Sequence, residues 1–149
     1  MNRTPVPRLA LLLTIVALTA ACDFGSNGSP TAPDQSNVAY SQTDLTIGTG
    51  IEATNGSTAS VTYGAWLYSD SAADHKGTQI DQSQFSFVLG ASQVIKGFDQ
   101  GVVGMKVGGT RRLVVPPSLA YGATGYQSIP PNAALVFDIG LTSVVSAGG

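Results

Sequence analysis

Charge is scarce in this sequence: 11% of its 149 residues are Asp, Glu, Lys or Arg, while 43% are hydrophobic. That balance argues against a disordered body and supports one buried core, with room for one domain and a leader. Two of the seven basic residues, Arg3 and Arg8, fall among the first ten positions. Beyond them five basic residues face nine acidic ones, a net charge of −4. Nothing there makes a basic face for phosphate, so nucleic acid is not expected as a partner. The single cysteine, Cys22, permits no internal disulfide. The single histidine, His75, lies in the polar stretch 69–77, away from any carboxylate or cysteine cluster at ligand spacing. It reads as a solvated loop residue, and no metal is expected. No nucleophile with a neighbouring base is visible, nor any phosphate loop. Gly48-Thr49-Gly50-Ile51-Glu52-Ala53 does fit the dinucleotide pattern G-x-G-x-x-A. That pattern must open a helix, however, and Thr54-Asn55-Gly56-Ser57 turns the chain at once, so no nucleotide cofactor is expected.

What is present begins with a leader. Residues 9–21 form an apolar run after Arg3 and Arg8 and end in small residues, as a secretory signal does. Its 13 residues fall short of the roughly 20 that span a bilayer. Leu18-Thr19-Ala20-Ala21-Cys22 resembles the bacterial lipoprotein signal, with Thr19 where Leu is commonest. The resemblance implies removal of 1–21, acylation of Cys22 and a protein held at the extracytoplasmic side of a bacterial membrane, where several buried CH₂ groups at about 0.8 kcal/mol each supply the hold. Asp23 is similar to an inner-membrane retention signal. Asn27-Gly28-Ser29 and Asn55-Gly56-Ser57 fit the glycosylation triplet and are read as chance in such a protein. Residues 22–41, rich in Gly, Ser, Pro and Asn, hold too little apolar surface to offset the entropy of ordering and read as a lipidated, disordered tether. The folded domain is expected over 42–149.

Within it, alternation predicts strands at 43–47, 58–68 and 85–89, another at 110–115 stopped by Pro116-Pro117, and a closing strand at 134–144. Between the third and fourth lies the one convincing helix, 92–103, with Val94, Phe98 and Val102 at i, i+4 and i+8. Gly97 and Gly101 each weaken an isolated helix by about 1 kcal/mol, so this one needs a sheet to lean on. About five mostly antiparallel strands wrapped around one short helix make the fold class α+β. Tyr121, Tyr126 and Ile129 stand in a glycine- and proline-rich loop, and with Tyr63, Phe85 and Phe98 they either complete the core or line an apolar hollow suited to a proline ring.

Four linked stretches narrow the choice: Gln93-Val94-Ile95-Lys96-Gly97-Phe98, Ala120-Tyr121-Gly122-Ala123-Thr124-Gly125, Ile129-Pro130-Pro131-Asn132-Ala133 and Leu135-Val136-Phe137-Asp138. In order and spacing they resemble the FKBP family of peptidyl-prolyl cis-trans isomerases over 43–145. The resemblance implies a site between helix and sheet. Phe85, Val94, Ile95, Phe98, Ile129 and Phe137 would bind substrate, with Phe98 as the floor where Trp is common. Tyr63, Asp81 and Tyr121 would act on the amide: Tyr63 and Asp81 as a polar edge facing the twisting carbonyl, Tyr121 and the Ile95 N–H gripping neighbouring carbonyls. The sequence departs from the family pattern at Ile80, where an aromatic is usual, at Tyr126, where His often occurs, and in a shortened loop between Asp81 and Phe85 that leaves the aspartate without an arginine partner. No cofactor is implied. Expected partners are proline-containing segments of unfolded or exported proteins, with macrolide inhibitors as further ligands and a monomer as the default state. A non-catalytic chaperone using the same pocket is the alternative reading, and an envelope structural lipoprotein the third.

Overall fold

The structure, a computed structural model, describes residues 33–148; the expected signal (1–21) and Cys22 lie outside the described residues. Five strands form one antiparallel sheet: β1 (Ser41–Thr46), β2 (Thr58–Tyr68), β3 (Lys76–Val88), β4 (Thr110–Val115) and β5 (Leu135–Val145), in the spatial order β1-β4-β5-β2-β3. The one α-helix among the described residues, α1 (Lys96–Val102), packs against β4. Alternate residues of the central strands face it. Val61 and Ala65 on β2, Leu113 and Val115 on β4, and Leu135, Phe137, Ile139 and Leu141 on β5 form the core with Phe98 and Val102. Among the described residues no helix is long and apolar enough to cross a membrane.

The helix is shorter than the apolar period suggests. Ile95 is extended (φ −60°, ψ 148°), and Ser92 has φ 57°, because the Gln93 side chain turns back to accept the Val88 N–H at 2.8 Å. Val94 and Ile95 therefore stand before the helix, half-buried against the core. At the other end the buried Arg111 donates to the carbonyls of Gly101 (2.9 Å) and Val103 (3.2 Å) and pairs with Asp44 on β1. One guanidinium thus satisfies the helix end and ties the edge strand to it.

β3 departs furthest from expectation. Instead of a loop through 77 and a short strand at 85–89, one unbroken strand runs from Lys76 to Val88, so Asp81 and Phe85 are joined by strand rather than loop. Its middle, Gln79 to Gln84, lacks apolar alternation because it is an exposed sheet edge. The N-terminal stretch expected to be tether also makes defined contacts from residue 33 onward. Gln35 accepts the Ala134 N–H at 2.8 Å, donates to the Tyr68 carbonyl at 3.1 Å and bonds the Asn132 carbonyl through its own N–H at 3.1 Å. Tyr40 donates to the Gly97 carbonyl at 3.3 Å. Strand β1 begins at Ser41.

Candidate active site

Phe98 is 3% exposed and lies at the centre of four rings brought in by three different strands. Phe137 on β5 meets it edge-on at 5.3 Å, Tyr63 on β2 edge-on at 5.7 Å, and Phe85 and Phe87 on β3 both at 5.8 Å. Tyr63 in turn meets Phe85 edge-on at 5.5 Å. Such edge-to-face pairs contribute about 0.5–1.5 kcal/mol each beyond their burial, so the cluster is stiff as well as apolar. Phe87 was not singled out from the sequence, although the alternation Phe85-Ser86-Phe87 places both rings on one sheet face.

The polar rim is made by Tyr63 and Asp81. The Tyr63 hydroxyl donates to Asp81 Oδ2, while Asp81 Oδ1 accepts the Gln82 N–H at 2.8 Å. Burial, then the bond to Asp81, then the negative charge of that carboxylate push the Tyr63 hydroxyl up to about 12 from an ordinary 10.0. The phenol therefore stays a proton donor throughout the physiological range. Tyr121 belongs to the same electrostatic group. Burial raises its hydroxyl above the ordinary value, and the nearby Tyr126 and Asp81 raise it further.

The loop that carries Tyr121 is built by its own main chain. Gly122, at φ 61°, donates to the Pro117 carbonyl at 2.8 Å and accepts from Asn132 at 2.9 Å. Tyr126 and Ile129 exchange bonds of 3.0 and 2.8 Å across the tip. An added Cβ on Gly125 (φ 68°) would lie 2.9 Å from the Pro130 carbonyl carbon, so only glycine fits this turn. Tyr126 stacks on Tyr121 at 5.1 Å and 12°, fixing the catalytic candidate from the side.

Of the nine pocket positions expected from the sequence, five are joined directly in this arrangement. Tyr63, Phe85, Phe98 and Phe137 make the ring contacts, and Asp81 bonds Tyr63. Val94, Ile95, Tyr121 and Ile129 pack half-buried against the same core. The Ile95 N–H has no acceptor among the described residues. His75 is exposed and stacks on Tyr68 at 5.0 Å, outside this group. Among the described residues no three His, Cys, Asp or Glu side chains are grouped to hold a metal.

Comparison with known proteins identifies the family. A family profile described as FKBP-type peptidyl-prolyl cis-trans isomerase matches residues 49–142. An FK506-binding protein of Neisseria meningitidis is 42% identical over 103 residues, covering 68% of this chain and 92% of that protein. FK506-binding protein 4 of Gibberella zeae is 42% identical over 105 residues; the match takes in 68% of this chain but spans only 20% of the length of that relative. The crystal structure of a peptidyl-prolyl cis-trans isomerase from Pseudomonas syringae superposes with a TM-score of 0.61 at 32% identity, covering 77% of this chain and 84% of that one. The chain belongs to the FKBP-type peptidyl-prolyl cis-trans isomerase family.

Proposed function

We propose that this protein accelerates cis-trans isomerisation of Xaa-Pro bonds in exported proteins, binding the proline ring over Phe98 and the twisting amide against the Tyr63–Asp81 rim. The observation that carries the reading is the aromatic floor with a protonated phenol and a carboxylate at its edge. Peptide resonance sets a rotation barrier of about 18–20 kcal/mol, and an uncatalysed Xaa-Pro bond turns over in roughly 10–100 s. The planar amide carries more charge separation than the twisted one. An apolar hollow therefore disfavours the ground state relative to the twisted form, with no covalent step. In this reading Phe85, Val94, Ile95, Phe98, Ile129 and Phe137 hold the ring and exclude water. The Ile95 N–H and the Tyr121 hydroxyl hold carbonyls on either side of the bond, while Tyr63 and Asp81 face the carbonyl that rotates. The family's macrolide ligands would compete for the same hollow.

NMR exchange of a short proline peptide tests this. Acceleration by the wild type that falls at least about tenfold in Asp81→Ala and Tyr121→Ala, both still folded, is the expected result for lost transition-state contacts. Folded wild type without acceleration, for several residues before proline, would leave the non-catalytic binding module in its place. The proposed setting is a monomer tethered through acylated Cys22 at the outer side of a bacterial membrane. Palmitate labelling that persists in Cys22→Ser would refute the anchor.

A further inference from the structure

The free edge of β3 contains a short open window beside the aromatic cluster around Phe98. Leu89, just past the strand, donates to Ser57 and accepts from Gly56, both at 2.9 Å, so its main-chain groups face β2. The register with β2 is unbroken from Val88 to Asp81. Main-chain direction alternates along a strand, so Phe87, Phe85, Ser83 and Asp81 also face β2, while Val88, Ser86, Gln84 and Gln82 face outward. Both ends of this outward row are closed. The Val88 N–H is taken by Gln93 Oε1 and the Gln82 N–H by Asp81 Oδ1, each at 2.8 Å. Between them the N–H groups of Gln84 and Ser86 and the carbonyls of Gln82, Gln84 and Ser86 have no partner among the described residues. Natural edges are usually guarded by Lys, Pro or a bulge. Here the irregular pairing lies at the Lys76 end of the strand, and 82–86 carries neither charge nor proline.

We infer that this window binds the substrate's main chain as an added strand, with the proline opposite Phe85 and its two neighbours paired to Gln84 and Ser86. The inference rests on the proline-binding function proposed above, and it names how that site recognises an extended, sequence-varied segment. The register is what favours this occupant. A residue opposite Phe85 directs its own N–H slot away from β3, so proline, which has no N–H, loses nothing there. Its ring falls on the sheet face of Phe85, whose ring lies 5.5 Å from Tyr63 and 5.8 Å from Phe98. The flanking residues then supply main-chain bonds that no particular side chain is needed to make. Rotation of the Xaa-Pro bond swings one flank away. That flank's bonds therefore belong to the ground state alone and lower KM and kcat together, while the bonds of the flank that stays paired lower KM with kcat unchanged.

Backbone esters provide the test. A short unstructured peptide with one central proline is compared with versions in which the N–H before or after the proline is replaced by an ester oxygen, and with one substituted farther out. The ester on the flank that stays paired is expected to raise KM by about three- to tenfold, the loss of one hydrogen bond, with kcat unchanged; the ester on the flank that swings raises KM similarly and kcat with it, and the distant ester is without effect. The Gln84 and Ser86 amide protons become protected from exchange when the all-amide peptide binds. Gln84→Pro, which removes only an outward N–H, raises KM similarly while the protein stays folded. If all peptides are accelerated with equal KM, the strand-pairing inference fails and the isomerase stands. If none is accelerated but the two amides are protected by the peptide, the window stands and the isomerase fails. Protection without peptide, in a protein that sediments as a dimer, assigns the edge to a second copy and overturns the inference.

Discussion

Replacing Gly101 by alanine sets two physical effects of opposite sign against each other. By helix propensity alone the substitution stabilises α1 by about 1 kcal/mol. The packing opposes it: a Cβ at this position would sit 2.6 Å from Leu113 Cδ2 and nearer still to Cδ1. Leu113 is fully buried on β4, so its tip can yield only by displacing its packing. Overpacking of this kind costs about 1–3 kcal/mol, and an overlap with two methyls of a buried side chain falls at the upper end. The net expectation is a loss of about 1–2 kcal/mol. Urea unfolding followed by fluorescence of Trp66, the single tryptophan, reads it as a lower midpoint at constant slope. A double-mutant cycle isolates the cause. Leu113→Ala leaves a cavity that the new methyl partly fills, so in that background Gly101→Ala becomes neutral or stabilising. An unchanged midpoint in the single variant, or the same loss in both backgrounds, would refute the steric argument and return the glycine to a matter of propensity.

Three further outcomes follow from the structure. Arg111→Met removes the donor to Gly101 and Val103 and the partner of Asp44, and should destabilise by about 2 kcal/mol, since bonds to a charged group contribute about 1.5–3 kcal/mol. Asp44→Asn, on the exposed side of that pair, should cost under about 1 kcal/mol by the same unfolding assay. The Tyr63 hydroxyl, raised in the folded state to about 12, contributes stability that is complete below its ordinary 10.0 and is lost as pH climbs from there through the folded value. Alkaline titration of phenolate absorbance should show, beside other raised tyrosines such as Tyr121, a component ionising at about 12 that disappears in Tyr63→Phe. Retention of that component in the variant would assign it elsewhere.

Much of the site was legible because the residues that form it are also those that strand alternation or the helix period places on inward faces. Phe85 and Phe87 share a parity, Phe98 carries the apolar stripe, and Phe137 sits inside a well-patterned strand. The strand 58–68 and the strand 110–115 coincide with β2 and β4, since both are central strands with one buried face. Legibility failed where a segment owes its conformation to distant partners. The middle of β3 is polar and uncovered at the sheet edge, so hydrophobic pattern carries no signal there. Gln35 and Tyr40 look like tether by composition, yet their bonds reach Ala134, Tyr68 and Gly97, far along the chain.

The sequence by itself determined the α+β class, the inward parity of each central strand and the aromatic supply of the Phe98 cluster, because these depend only on periodicity and side-chain size. Tertiary structure alone decided where α1 begins, which atoms Arg111 satisfies, and that Asp81 accepts the Gln82 N–H with one oxygen and the Tyr63 hydroxyl with the other. Those outcomes depend on side chains reaching particular main-chain groups and on pairs from different strands, Tyr63 with Asp81 and Arg111 with Asp44. No local pattern of residues encodes those pairs.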